Sequence, residues 1–285
     1  MTEKIKNAEV EFNRISLSFS AFLNKHWGTL LAGIIFCGFL LKIAGLFLEP
    51  TLSRDGALYV QLIKIWSDSN DFNALLQYWE GYWIPPFFLY LAKCLMYFGL
   101  TAAQAGVGIN LVLGTFAPLV GFGIAFEVTR NRIIALCSAL LLAMHPSLNE
   151  LSVQVQRDMI FLFLSGSAVW SICAGIRRKK WYFWILGGLL LSMSFLTRYE
   201  TAEFLLLTAV ALTILVCTKY LTVRQYFLYG FYMLAAFLAS ASLLCHIMGT
   251  DNVDEIYQTY FERKAMLVQK QYSDSEIPEE EGQQP

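Results

Sequence analysis

Residues 28–48 read GTLLAGIIFCGFLLKIAGLFL, an apolar run long enough to cross the roughly 30 Å hydrocarbon core of a bilayer as a helix of about 20 residues. Comparable runs recur at 106–128, 133–146, 158–176, 182–197, 202–218 and 226–248. Across the 285-residue chain, 56% of residues are hydrophobic and only 15% are charged, against about 25% in an ordinary soluble domain. Too little polar surface is available to coat a water-soluble globule. The chain is therefore read as an all-α polytopic membrane protein with about seven transmembrane helices. The 133–146 run is short enough to be re-entrant, with Arg132 placed to snorkel at one end and Pro146 to close the other.

Charge sets the expected orientation. The basic clusters are Lys4/Lys6/Arg14/Lys25, Arg130/Arg132, Arg177/Arg178/Lys179/Lys180 and Lys219/Arg224. Cytoplasmic loops favour Lys and Arg, and all four clusters fall on one side only if the apolar stretch 83–100 does not cross. That stretch, WIPPFFLYLAKCLMYFGL, carries a Pro-Pro pair, Lys93 and several aromatics, which suit an in-plane or re-entrant segment. An eighth span with a snorkelling lysine is the alternative. The division follows as a cytoplasmic amphipathic lead over 1–27, a transmembrane domain over 28–248 with its first outer loop at 49–105, and an acidic, partly disordered outer tail over 249–285. The tail holds nine acids and three bases. A first run beginning only near Gly28, with no small-residue cleavage site after it, reads as an uncleaved span rather than a signal peptide.

Some chemistries are disfavoured outright. No basic patch interleaves with exposed aromatics, so nucleic acid is not an expected partner. The three histidines, His26, His145 and His246, form no HxxxH or HExxH pair. The six cysteines all lie in apolar runs without a CxxC pair and read as small core residues. Glycines at 106, 108, 114, 121 and 123, with Pro118 among them, read as close helix packing rather than a gating hinge.

Four polar islands then fall on the outer side. "SRDGALY" places Asp55 four residues before Tyr59, on one face of a helix, although an aspartate at a helix start is also an ordinary cap. "QYWEGYWIPPFFLY" sets Glu80 among aromatics that include Trp83, which suits stacking on a sugar ring or equally an interfacial belt. "HPSLNELSVQVQRDMIFLFL" carries Glu150, Arg157 and Asp158, and an arginine at a membrane surface can hold a lipid phosphate bidentately. "SFLTRYETAEFLLL" drops Arg198, Glu200 and Glu203 into a nearly continuous apolar stretch, where ionisable groups default to a functional reading.

In this order the four islands resemble the GT-C superfamily of membrane glycosyltransferases, in its dolichyl-phosphate-mannose–protein mannosyltransferase and lipid A aminoarabinose transferase branch. The matching residues are Asp55 and Tyr59 in the first outer loop, Pro85, Pro86 and Tyr90 in a PPLY-like segment, Pro146, Ser147 and Asp158 around the next loop, and Leu196, Thr197, Arg198 and Glu200 in an LTRPEG-like turn. The resemblance covers residues 28–248. It departs at Gly56, where a second acid is usual, at Tyr199, where proline is common, and in the shortness of the chain.

The resemblance implies sugar transfer from a polyprenyl-phosphate donor to an acceptor hydroxyl or amine at the outer face, with inversion. Asp55 would be the general base. Arg157 and Arg198 would neutralise the departing phosphate. Tyr59, Glu80, Trp83, Glu150, Asp158 and Glu200 would complete the substrate site. A divalent cation is left open by the resemblance, with Glu80, Glu150 or Asp158 supplying the carboxylate that Gly56 does not. The setting would be a bacterial inner membrane. A half-enzyme working with a second membrane subunit, a non-catalytic subunit and a transporter of lipid-linked substrates are the competing expectations.

Overall fold

The computed structural model describes residues 21–48, 52–72, 74–75, 85–250 and 265–266. Among them every regular element is a helix. The first apolar run forms α1 (Trp27–Leu48), and the loop after it carries α2 (Arg54–Ser69) and α3 (Phe87–Met96). There follow α4 (Ala102–Thr129), α5 (Arg132–Met144), α6 (Pro146–Val153), α7 (Asp158–Arg178), α8 (Trp181–Phe195), α9 (Thr201–Cys217) and α10 (Val223–Met248).

Helices α1, α4, α7 and α10 are long and apolar enough to cross a membrane. The pair α5 and α6 qualifies as a fifth span bent by 55°. The bend is written in the sequence: the His145 Nδ1 accepts from the Leu148 amide, and Pro146 opens α6, where its missing N–H costs nothing. Arg132 at the start of α5 donates to the Asn24 carbonyl, whereas Val155, just past α6, lies at the far end against Gly56 and Gly106. The pair thus traverses the bundle as a broken helix and does not turn back. The other two expected spans are α8, with 15 residues, and α9, with 17, both short of the roughly 20 a straight crossing takes.

The bundle has two distinct ends. At one, Glu127 of α4 pairs with Arg177 and, at 2.6 Å, with Arg178 of α7. Arg132 stands over the Trp27 ring at this same end. Trp184 of α8 stacks on Tyr229 of α10 at 4.8 Å, so these two helices pack directly and run parallel from this basic end, with α9 connecting them in the opposite direction. At the other end gather α2, α3 and the starts of α4, α7 and α9. The α3 backbone begins with the Phe87 amide on the Leu196 carbonyl at 3.0 Å, and a short turn after Met96 leads into α4. Both ends of α3 therefore stay at one end of the bundle, as an in-plane or re-entrant segment does. Its Lys93 is buried, donates to Asn70 Oδ1 at 2.6 Å and lies 5.2 Å from the Trp66 ring.

Close packing follows the glycines of α4. A Cβ at Gly123 would lie 2.2 Å from the Trp170 ring of α7, so only glycine lets the two helices approach this far. Large apolar side chains such as Phe36, Phe47, Leu141, Leu206, Phe227 and Phe231 face outward, a surface that suits lipid and not water. Among the cysteines the core reading holds for Cys245, which is buried. Cys37, Cys137 and Cys217 instead lie on this outward face, where a thiol is apolar enough to sit.

Candidate functional site

The site is built at the end opposite the basic clusters. Ser53 caps α2, accepting from the Gly56 amide at 3.0 Å, and its hydroxyl also receives Gln156 Nε2 at 3.1 Å. Because Ser53 caps the helix, Asp55 does not. Its carboxylate stands exposed in the first turn, with no ion pair to Arg54 or any other described residue. Gly56 is buried against the Val155 backbone, where a Cβ would lie 3.3 Å from the carbonyl oxygen and 3.1 Å from Ser53 Oγ. This contact gives the physical reason for a glycine where a second acid is usual: α2 seats directly on the 154–157 segment.

That segment is pinned from below. Asn110 of α4 is fully buried, and its amide nitrogen donates to the Gln154 carbonyl at 2.7 Å and the Gln156 carbonyl at 2.6 Å. Two carbonyls that no helix satisfies are thereby paired. The chain is fixed where it delivers Arg157 and Asp158, and Asp158 opens α7, where the helix dipole favours a carboxylate.

The third component is the turn after α8. The Arg198 amide bonds the Ser194 carbonyl at 2.8 Å. Thr201 Oγ1 donates to the Arg198 carbonyl at 2.9 Å and lies 2.9 Å from Ser194 Oγ. Ser194, Thr197 and Thr201 are all fully buried; Ser194 and Thr201 pair with each other, and Thr197 Oγ1 donates to the Met193 carbonyl at 2.9 Å. From it Arg198 reaches the carboxylates of Asp158 and, at 3.0 Å, Glu200, while its guanidinium lies 5.3 Å from the Phe161 ring centre.

Tyr59 ties these pieces together. It packs edge-on to Phe88 of α3 with ring centres 5.9 Å apart. Burial pushes its phenol up; the charges of Asp158 and Asp55 push the same way, and those of Arg157 and Arg198 oppose them. Four charged residues from three separate stretches thus bear on one hydroxyl. Burial alone would raise Glu200, but hydrogen bonds from Arg198 and the backbone, with the charges of Arg198 and Arg157, hold it below its ordinary value. Bonding to Glu200 in turn raises Arg198, against the effect of burial, with help from Asp158.

A sequence profile matches residues 84–252, more than half of the chain, and it is described as dolichyl-phosphate-mannose-protein mannosyltransferase. The chain belongs to that family. It is a membrane glycosyltransferase of the GT-C type, as the four islands imply. The matched stretch contains Arg157, Asp158, Arg198 and Glu200, and α2 with Asp55 and Tyr59 precedes it. No curated protein and no solved structure matches the chain.

Within this family member not every expected residue meets the cluster. Glu150 is exposed on α6 and accepts from Gln154 Nε2 at 3.3 Å; no described contact joins it to Arg198. Glu80 and Trp83 lie outside the described residues. Among the described residues no three His, Cys, Asp or Glu side chains stand close enough to hold a metal ion, and both acids nearest Arg198 are engaged by it. Sequence reading missed Asn110, Gln156 and Phe161. Asn110 left a signal, as a polar residue inside a glycine-rich apolar run. It also missed Lys42, buried in α1 with its Nζ on Asn149 Oδ1 at 2.9 Å, and the buried Glu127.

Proposed function

We propose that the chain transfers a sugar from a polyprenyl-phosphate donor to an acceptor hydroxyl or amine at the outer face of the membrane, with inversion. The observation that carries this reading is the exposed, unpaired carboxylate of Asp55 one helical turn from Tyr59, whose hydroxyl also feels Arg157, Asp158 and Arg198. Asp55 takes the proton of the acceptor. The acceptor atom attacks the anomeric carbon from one side as the carbon–oxygen bond to phosphate breaks on the other. Polyprenyl phosphate leaves with that electron pair. A carboxylate is a weak base near neutral pH, so much of the rate comes from holding the reactants in line.

The ion pairs divide the two arginines. Arg198 is committed to Asp158 and Glu200 and holds the turn. Arg157 makes no ion pair among the described residues, and its charge reaches both Tyr59 and Glu200. Arg157 is therefore the cation assigned to the phosphate, where it stabilises charge growing on the leaving group. Tyr59, kept protonated, donates to a donor oxygen. Glu80 and Trp83 are assigned to the sugar itself. The site lies within reach of a lipid phosphate because α8 is short. With Trp181 and Tyr182 at one interface, 15 residues rise about 22 Å, which leaves the Arg198 turn below the opposite surface. The outer orientation is supported by the Lys and Arg clusters at the other end.

The test uses the purified full chain in lipid nanodiscs with polyprenyl-phosphate mannose, measuring released polyprenyl phosphate. Asp55→Asn is expected to slow release by about 10²–10⁴-fold. Release by that variant at the wild-type rate would overturn the assignment.

A further inference from the structure

A cleft opens at the basic end, remote from the transfer site. It lies between α7 and α8, has a volume of about 320 Å³, and is lined by Ser167, Trp170, Ala174, Phe183, Leu186 and Leu190, with Arg178 at its mouth. Leu186 is 44% exposed, so the cleft faces outward to the bilayer. The polar group of Ser171 in its wall is already spent on the Phe183 carbonyl at 2.7 Å, which leaves the lining apolar in character. The mouth is cationic. Arg178 is fixed there by Glu127 and by the Phe183 ring, 5.1 Å away, and the next two residues, Lys179 and Lys180, are exposed with no ion pair among the described residues. Four consecutive bases, Arg177 to Lys180, face a single described acid, Glu127, so positive charge is left over.

We propose that this cleft is a binding site for an anionic phospholipid of the inner leaflet. An acyl chain lies along Trp170, Leu186 and Leu190, and the headgroup phosphate is held by Lys179 and Lys180. An apolar groove with Arg178 at its mouth, followed directly in the chain by Lys179 and Lys180, unpaired among the described residues, fits a lipid with a negative headgroup better than a zwitterionic one. The lining is mainly apolar, which suits an acyl chain better than the backbone of a peptide partner. The site is independent of the transfer chemistry, so its test is a binding measurement.

The delipidated full chain in detergent is titrated with phosphatidylglycerol or phosphatidylcholine, and bound lipid is counted by native mass spectrometry. The wild type is expected to prefer phosphatidylglycerol. Lys179→Asn with Lys180→Gln is expected to weaken phosphatidylglycerol binding by about thirtyfold while leaving phosphatidylcholine unchanged. Asparagine is chosen because Lys179 sits at φ 52, a left-handed conformation it tolerates. Leu186→Trp, which fills the cleft without altering charge, is expected to weaken both lipids. Equal binding of the two lipids by the wild type, or an unchanged preference in the lysine double variant, would overturn the proposal.

Discussion

Asp158 and Arg198, forty residues apart in the chain, form an ion pair that joins the start of α7 to the turn after α8. Both side chains are about 30% exposed, so the pair is neither a surface contact of little worth nor a sealed charge. Asp158→Asn and Arg198→Gln should each lower the melting temperature of the purified chain. The double variant should lose less than the sum, with a coupling of about 0.5–3 kcal/mol. Strict additivity in that cycle would show that the pair does not hold the turn.

Asn110 is the support beneath Arg157. Replacing it by leucine, of similar size, strands the Gln156 carbonyl at a cost of about 1–3 kcal/mol and leaves the Gln154 carbonyl with the Gln156 amide alone. The expected result is a lower unfolding temperature together with a slower transfer step, since Arg157 is no longer aimed. A melting curve and a single-turnover rate separate the two effects, and wild-type values for both would dismiss the role.

Glu200 gives a pH dependence with a defined sign. Its carboxyl is held below its ordinary value of 4.5, chiefly by Arg198 working against burial. A depressed acid stabilises the fold above that ordinary value and loses the contribution as pH falls through the lower folded-state value. The stability gap between wild type and Glu200→Gln should therefore be constant at neutral pH and close only in acid. With Glu200 nearly half exposed, the gap should be at most about 1 kcal/mol. A gap that widens on acidification would contradict the assignment.

Tyr59→Phe removes a hydroxyl and keeps the ring on Phe88. The fold should be retained. The Michaelis constant for the donor should rise by about tenfold if the phenol donates to it, the worth of one hydrogen bond. An unchanged constant would leave Tyr59 as packing alone.

Much of this was legible in the chain. Apolar length located α1, α4, α7, α10 and the bent pair α5–α6, because each helix needs a set number of residues to cover the hydrocarbon, whereas the expected spans at α8 and α9 fall short of that number. Arg198 and Glu200 were marked by charge in an apolar stretch, Arg157 and Asp158 by their place in the connection between two spans, and Asp55 and Tyr59 by their four-residue spacing. What escaped depended on contacts that spacing does not carry. Asn110 looks like a stray polar residue until the carbonyls it holds, more than forty positions away, come into view. Glu150 was grouped with Arg157 by proximity in sequence, yet its side chain stands on the exposed face of α6, where it bonds Gln154. The core reading of the cysteines failed at Cys37, Cys137 and Cys217 because an apolar run in a membrane helix has a lipid face as well as a packed one.

The central claim is that Asp55 and Arg157, from loops about a hundred residues apart, act on one donor. The direct measurement is the rate of polyprenyl phosphate release by wild type, Asp55→Asn, Arg157→Gln and the double variant. Groups that act as a unit are non-additive, so each single change should cost at least about a hundredfold and the double change little more. Wild-type release from either single variant, or fully multiplicative losses in the double, would contradict it.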